Sequence, residues 1–416
     1  MEMRESRQMP LQPPAIRPEL AAQRRLQFPI GAEITLRDLE GYESGVHAQQ
    51  RLREHEPVTW FDEVQAWLVT SRSLVEEVLS AHDRFTVYAE PSFVRTVLGD
   101  HMLSRDGDDH RHQRAPYDPP LRLRSVRQNY TELISELADG LLAQLRRQNS
   151  AELRPAYANP LAITVAGRAL GLAFDDITQV SEAYDVFAER MVDYAGAGSD
   201  IAPTRAALDS LVYRNLDRIR KHPDTSIISS VLTSENPDLR QSDDEIVANV
   251  RILLFGAIET VTSIILSTTW ALLSHPEQLD EALADPDLFS AAVNEALRWI
   301  SPVGHSERWA TKDTQLGGAA IQRGEMVLPS LAAANRDPAF FPDPDAFNIH
   351  RDNARHHAAF GRGEHHCIGL NLGSLEAQIA VERLFNQLPN LRLDPDRPCF
   401  PTGFGFRSPR QLQVTW

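Results

Sequence analysis

Residues 360–369 read "FGRGEHHCIG". This stretch sets a cysteine, Cys367, behind adjacent histidines, His365 and His366. Gly361, Gly363 and Gly369 loosen the backbone around it. Directly after it comes "IGLNLGSLEAQIAVERLFNQL", whose apolar residues recur at helical spacing. A glycine turn that delivers a cysteine to the start of a helix is a place for chemistry, because the helix N-terminus stabilises a thiolate.

Outward from that loop, the clearest element is a long helix. Ser242 can cap it and Glu245 completes a capping box. It then runs through "IVANVRILLFGAIETVTSIILSTTWALLS" and ends before Pro276. Its apolar residues go all round, so it should cross the middle of the molecule. "SRSLVEEVLSA", "ELISELADGLLAQLRR" and "AITVAGRALGLA" also predict helices. "PVTWF" and "AWLVT", separated by "DEVQ", predict a hairpin. "TQLGGAAIQRGEMVLPSLAAANRD" reads as short strands with turns, and "QLQVTW" as a closing strand. Residues 1–30, rich in Pro, Arg and Gln, read as a loosely ordered arm. Residues 31–416 show no linker or repeat, so they predict one large domain, mainly α with small β-sheets.

Composition narrows the function. The 416 residues carry a formal charge of −16, which argues against a nucleic-acid partner. Only Cys367 and Cys399 are present, which argues against a secreted disulfide framework and fits a reducing compartment. The first thirty residues hold no signal-like run, and no stretch of about 18 uninterrupted apolar residues occurs. These features predict a cytoplasmic protein without a membrane partner.

Three readings of Cys367 compete. Zinc needs about four ligands at recognisable spacing, but "HHC" sends consecutive side chains in divergent directions and Cys399 stands apart. A nucleophilic cysteine could use His365 or His366 as base, yet no protease or transferase signature surrounds it. A thiolate that binds haem iron predicts four features: a glycine-rich loop, a helix starting after the cysteine, cationic groups for the haem carboxylates, and a helix with an oxygen-activating site. The chain supplies all four.

The run Phe360, Gly361, Gly363, His365, Cys367, Gly369 resembles the haem-binding signature of cytochrome P-450. The family's other motifs occur in the family's order. "HRHQR" (His110–Arg114), "GAIET" (Gly256–Thr260) and "EALR" (Glu295–Arg298) resemble its C-helix, I-helix and K-helix motifs. "SERWATKDTQLGG" and "AANRDPAFFPDPDAFNIHR" resemble bacterial forms of the sheet and meander that follow. The resemblance covers roughly residues 40–416. It implies the cytochrome P-450 fold, a single haem-binding domain, and haem b (iron protoporphyrin IX) as cofactor.

The resemblance also assigns roles. Cys367 is the implied axial ligand, with Phe360 shielding the sulfur and Gly361 and Gly369 shaping its loop. His110, Arg114, Arg308 and His365 are the implied holders of the haem propionates. Glu295 and Arg298, one helical turn apart, are joined by Arg351 in a network supporting the haem loop. Gly256 and Ala257 leave room for dioxygen. Thr260, which can bond the carbonyl four residues back, holds a water that feeds protons, with Glu259 upstream. The implied substrate pocket comprises Phe85, Val87, Phe93, Val94, Leu253, Val303, His305, Phe404 and Phe406, with His305 as its polar member. Arg362, Arg111, Arg122 and the His356/His357 pair read as a basic patch for an acidic redox partner. His366 departs from the family pattern and receives no role.

The implied activity is that of a monooxygenase. One atom of O2 enters a small hydrophobic or aromatic substrate, giving hydroxylation or O/N-dealkylation. Electrons would come from a separate ferredoxin or flavodoxin-type donor with its NAD(P)H reductase, since no such domain is fused. Two rivals are a peroxide-using peroxygenase of the same fold and a non-catalytic haem sensor or carrier. Both fit poorly with a chain that keeps Glu259 and Thr260.

Overall fold

The computed structural model describes residues 11, 18–90, 92–191 and 200–416. Helices dominate, and small sheets lie at the edges. The central helix spans Asp243–Ser274 and carries the expected capping box: Ser242 N donates to Glu245 Oε2 at 2.8 Å and Glu245 N to Ser242 Oγ at 3.3 Å. It packs against helices Asn159–Leu170, Ala202–Lys221, Leu288–Ile300 and Leu370–Gln387. One core therefore runs through Leu142, Leu161, Ile264, Leu297 and Leu384. Each such side chain, fully buried, contributes about 1.5–3 kcal/mol. The central helix is long and apolar enough to cross a membrane by length and composition, but most of it is buried inside the fold.

The expected hairpin forms between Val58–Phe61 and Ala66–Val69, with Trp60 opposite Trp67. Gln65 turns the chain with φ 53°. Strand Met326–Pro329 joins this hairpin in parallel, and Arg308–Ala310 and Phe85–Thr86 extend the sheet. "QLQVTW" contributes strand Gln413–Thr415, which lies between Ser150–Glu152 and Arg392–Leu393.

The N-terminal arm departs from expectation. Residues 1–10 and 12–17 lie outside the described residues, but Pro18–Gln27 and Pro29–Glu33 are helical. Arg24 is the reason. Its guanidinium lies 4.4 Å from the Trp60 ring centroid and 4.9 Å from that of Trp67. It also forms a buried ion pair with Glu325, which accepts from Trp67 Nε1 at 2.8 Å. A cation between indole faces, neutralised by a carboxylate, ties the arm to the sheet.

Candidate functional site

The loop 360–369 needs its glycines. Gly361 and Gly363 adopt φ of 69° and 72°. A Cβ on Gly363 would also sit 2.5 Å from the Leu79 carbonyl oxygen, so no side chain fits there. The loop closes through Cys367 N donating to Phe360 O at 2.9 Å and Gly361 N to Ala358 O at 2.8 Å. Helix Leu370–Gln387 then begins. Burial pushes the Cys367 thiol up. The backbone amides of Gly369 and Leu370, together with the Arg114 charge, pull against it.

Cys367 borders a cavity of about 330 Å3, as do Phe360, Gly361 and Gly369. From the central helix, Gly256, Ala257 and Thr260 border the same cavity. Thr260 Oγ1 donates to the Gly256 carbonyl at 2.5 Å, which diverts that carbonyl within the helix. A Cβ on Gly256 would meet nothing within 4 Å, so open space adjoins the helix there.

Glu259 is placed differently. It is not among the residues bordering the cavity. Its carboxylate accepts from the Tyr184 hydroxyl and from Ser263 Oγ at 3.3 Å, and pairs with Arg154 at 3.5 Å. These partners come from helix Ile177–Met191, the turn Arg154–Ala158 and the central helix itself. None of these partners borders the cavity.

His110, Arg114, Arg308 and His365 all border the cavity. The rings of His110 and His365 lie 4.3 Å apart. Both Nδ1 atoms are buried without a hydrogen-bond partner. Burial lowers Arg308 to about 10 and His110 to about 3, so the former stays cationic and the latter neutral at pH 7. The sequence reading missed Asp106, which pairs with His365 Nε2 at 2.9 Å and accepts from Val87 N at 3.1 Å. Burial alone would raise the Asp106 carboxyl, but its hydrogen bonds from His365 and Thr86 prevail and hold it at about 2. No local pattern could reveal the pair, since 259 positions separate them.

Glu295, Arg298 and Arg351 meet in the interior. Arg298 grips Glu295 through Nε and Nη2, each at 2.7 Å, and Arg351 Nε donates to the same carboxylate at 3.0 Å. Arg298 also donates to the Asn335 carbonyl at 3.0 Å. The Asn335 side chain in turn accepts from Ala358 N at 2.6 Å, and Ala358 O receives Gly361 N. A continuous hydrogen-bonded path therefore joins the buried network to the cysteine loop.

The pocket expectation needs correction. Leu253 and Val303 border the cavity; Phe85, Val87, Val94, His305, Phe404 and Phe406 do not. Phe85 pairs with Ala310 and belongs to the sheet core. Phe404 packs on Phe61 and on His305, whose ring lies 4.2 Å away. Burial lowers His305 to about 4, leaving it neutral. Val87 is buried, Val94 packs on the main core and Phe406 packs on Phe255. Phe93 starts helix Phe93–Leu98, and its side chain lies outside the described residues. The cavity wall includes Met102, Leu103, Ile252 and Ser306 instead. The basic patch is also weaker than expected: Arg111 pairs with Asp108, Arg362 pairs with Glu76 at 3.1 Å, and His357 is buried and neutral, lowered to about 3. His366 is exposed.

Among the described residues His365 gathers with Asp106 and Glu364 as possible metal ligands, but Cys367 belongs to no such cluster, so a zinc site built on the cysteine has no structural support. A haem fits better. One wall presents a sulfur, the wall from the central helix presents small residues, and one edge gathers Arg308, Arg114 and histidine nitrogens without partners.

Comparison with known proteins agrees with this geometry. The family profile described as Cytochrome P450 matches residues 204–398. Pentalenic acid synthase of Streptomyces avermitilis is 33% identical over 383 residues, 89% of this chain and 94% of that protein. Nocardicin C N-oxygenase of Nocardia uniformis is 31% identical over 94% of this chain and 98% of that protein. Among solved structures, P450BioI in complex with acyl carrier protein ligated to hexadec-9Z-enoic acid matches with TM-score 0.80 and 29% identity, covering 90% of this chain and 98% of that one. Identity above 30% is thus spread along almost the whole length and not confined to the cysteine loop, and the chain belongs to the cytochrome P450 family, whose members bind haem b through a cysteine thiolate.

Proposed function

We propose that this P450 monooxygenase acts on a small hydrophobic or aromatic substrate, by hydroxylation or O/N-dealkylation, in the cytoplasm. Electrons would come from a separate ferredoxin or flavodoxin-type carrier served by an NAD(P)H reductase. The observation that carries the reading is that Cys367 and Thr260, on different elements, border one apolar cavity.

Cys367 is the residue that would hold the haem iron, through its sulfur. The Gly369 and Leu370 amides and the Arg114 charge favour its thiolate. Phe360 shields the sulfur from water. Arg114 and Arg308 supply charge, and His110 and His365 supply hydrogen bonds, to the two carboxylates of the haem. The Glu295–Arg298–Arg351 network keeps the loop in register through Asn335 and Ala358. When bound, haem b activates dioxygen so that one atom enters a C–H bond and the other leaves as water.

Thr260 holds the proton-bearing water beside the carbonyl of Gly256, and Gly256 and Ala257 leave the space. Glu259 reaches that water only if its clamp by Tyr184 and Arg154 opens. Leu103, Ile252, Leu253 and Val303 exclude water and favour an apolar substrate. Ser306, with a buried hydroxyl lacking a partner, takes over the orienting role expected of His305. The test is a screen of small aromatics and terpenoids for haem spin-state shifts, followed by turnover with a surrogate ferredoxin and its reductase. Tight binding of bulky charged compounds in place of apolar ones would overturn the substrate class.

A further inference from the structure

Beside the cysteine loop lies a second group of possible metal ligands that does not involve Cys367. Asp106, Glu364 and His365 bring their ligand atoms within 4.8 Å of one another. They come from two segments: Asp106 precedes helix Gly107–Arg114, and Glu364 and His365 lie in the short turn Gly363–His365. His365 Nε2 is 2.9 Å from Asp106 Oδ1 and 3.7 Å from Glu364 Oε1. Two ligands held tetrahedrally on zinc lie about 3.3 Å apart, between those two distances. The carboxylates are also oriented from behind. Asp106 accepts from Thr86 Oγ1 and from Val87 N at 3.1 Å, and Glu364 accepts from Gly107 N at 3.2 Å. Such outer hydrogen bonds are what fix metal ligands in place.

His110 is an independent observation. It is 2% exposed, and its Nδ1, 3.9 Å from Glu364 Oε2, has no hydrogen-bond partner. On the solvent side, His82 Nδ1 lies 3.4 Å from Glu364 Oε1, and the His82 side chain is exposed. One buried and one accessible imidazole nitrogen thus approach the same carboxylate, and His82 marks an entry path. Charge points the same way. Two carboxylates meet here, and Arg308 is an arginine whose charge acts on both. With Arg308 serving a haem carboxylate, the pair lacks a cation of its own. His365 can serve both places, since its Nε2 faces Asp106 while its buried Nδ1 is free for the haem.

We propose that Asp106, Glu364 and His365 bind a divalent transition cation of the Zn2+ class, with His82 or water as the fourth ligand. The ion clips the cysteine loop to the start of helix Gly107–Arg114. It is separate from the haem iron, which Cys367 would hold. Its charge sits beside Arg308 and His110, at the edge that receives the haem carboxylates.

The test uses the haem-loaded protein, stripped with EDTA and titrated with Zn2+ alone. Calorimetry should show one equivalent bound, and Glu364→Gln should weaken it on the order of a hundredfold. The Fe(III)/Fe(II) midpoint potential of the wild type should rise when Zn2+ is added, because a nearby dication disfavours the more positive iron. No binding at millimolar Zn2+, or equal affinity in Glu364→Gln, would overturn the proposal. Binding that leaves the haem potential unmoved would overturn it too, since that marks an adventitious ion on surface histidines. The potential measurement needs no variant, so misfolding of Glu364→Gln leaves it decisive. Failure here leaves the monooxygenase reading untouched, because Zn2+ binding is measured without substrate or turnover.

Discussion

Thr260 Oγ1 and the carbonyl of Gly256 are hydrogen-bonded at 2.5 Å within the central helix, where both residues border the cavity that Cys367 borders. A hydroxyl turned back onto its own helix leaves its lone pairs for a water in the cavity. Thr260→Ala should remove that water site while leaving packing nearly intact. Peroxide release per reducing equivalent should rise on the order of tenfold, with substrate affinity changed less than twofold. A coupled Thr260→Ala enzyme would count against the proton-delivery assignment.

Glu295 and Arg298 are completely buried and grip each other through two hydrogen bonds. Removing one partner strands a charge in the core. Glu295→Ala should cost about 3–5 kcal/mol and lower haem content, because Arg298 would also release Asn335 and with it the path to Ala358. Denaturant unfolding combined with the haem-to-protein ratio checks both effects. Retained haem with a loss of stability under 1 kcal/mol would remove the network's proposed role.

The arm makes a similar prediction from a different place. Arg24→Ala leaves Glu325 buried and unpaired beside Trp67. A loss of about 3 kcal/mol is expected, and the Arg24→Met/Glu325→Gln pair should recover most of it. Thermal melts of the three proteins decide; an unchanged Arg24→Ala melting temperature would show that the arm does not anchor the sheet.

His101 supplies a pH dependence. It is 1% exposed and both ring nitrogens lack partners, and burial lowers it to about 3. The unfolded chain binds the proton near 6.5 while the folded one resists it. Stability is thus full above about pH 6.5 and falls with pH toward 3, by about 1.4 kcal/mol per unit from this group. His101→Leu should flatten that limb by the same slope, measured by unfolding at pH 7 to pH 4.5. An unchanged slope would mean that His101 is not held neutral.

What could be read in advance was local. The capping box at Ser242 and Glu245, the hairpin around "DEVQ" and the glycine turn before Cys367 each announce themselves within a few residues. Arg24 reads as part of a loosely ordered arm because its partner, Glu325, is 301 positions away. Asp106 escaped for the same reason. Phe85 and Phe404 were placed in the pocket by resemblance, yet aromatic residues near a cavity serve sheet packing equally well, and here they do. Glu376, on helix Leu370–Gln387, sits inside an amphipathic run where an acid reads as a surface position, yet it is buried.

The central claim is that Cys367 binds the haem iron through its thiolate. The most direct measurement is the reduced carbon-monoxide difference spectrum of the purified haem protein and of Cys367→Ala. The account predicts a thiolate-type Soret band in the wild type that vanishes in Cys367→Ala. An imidazole-type band in the wild type, or a thiolate-type band that survives the substitution, would contradict it.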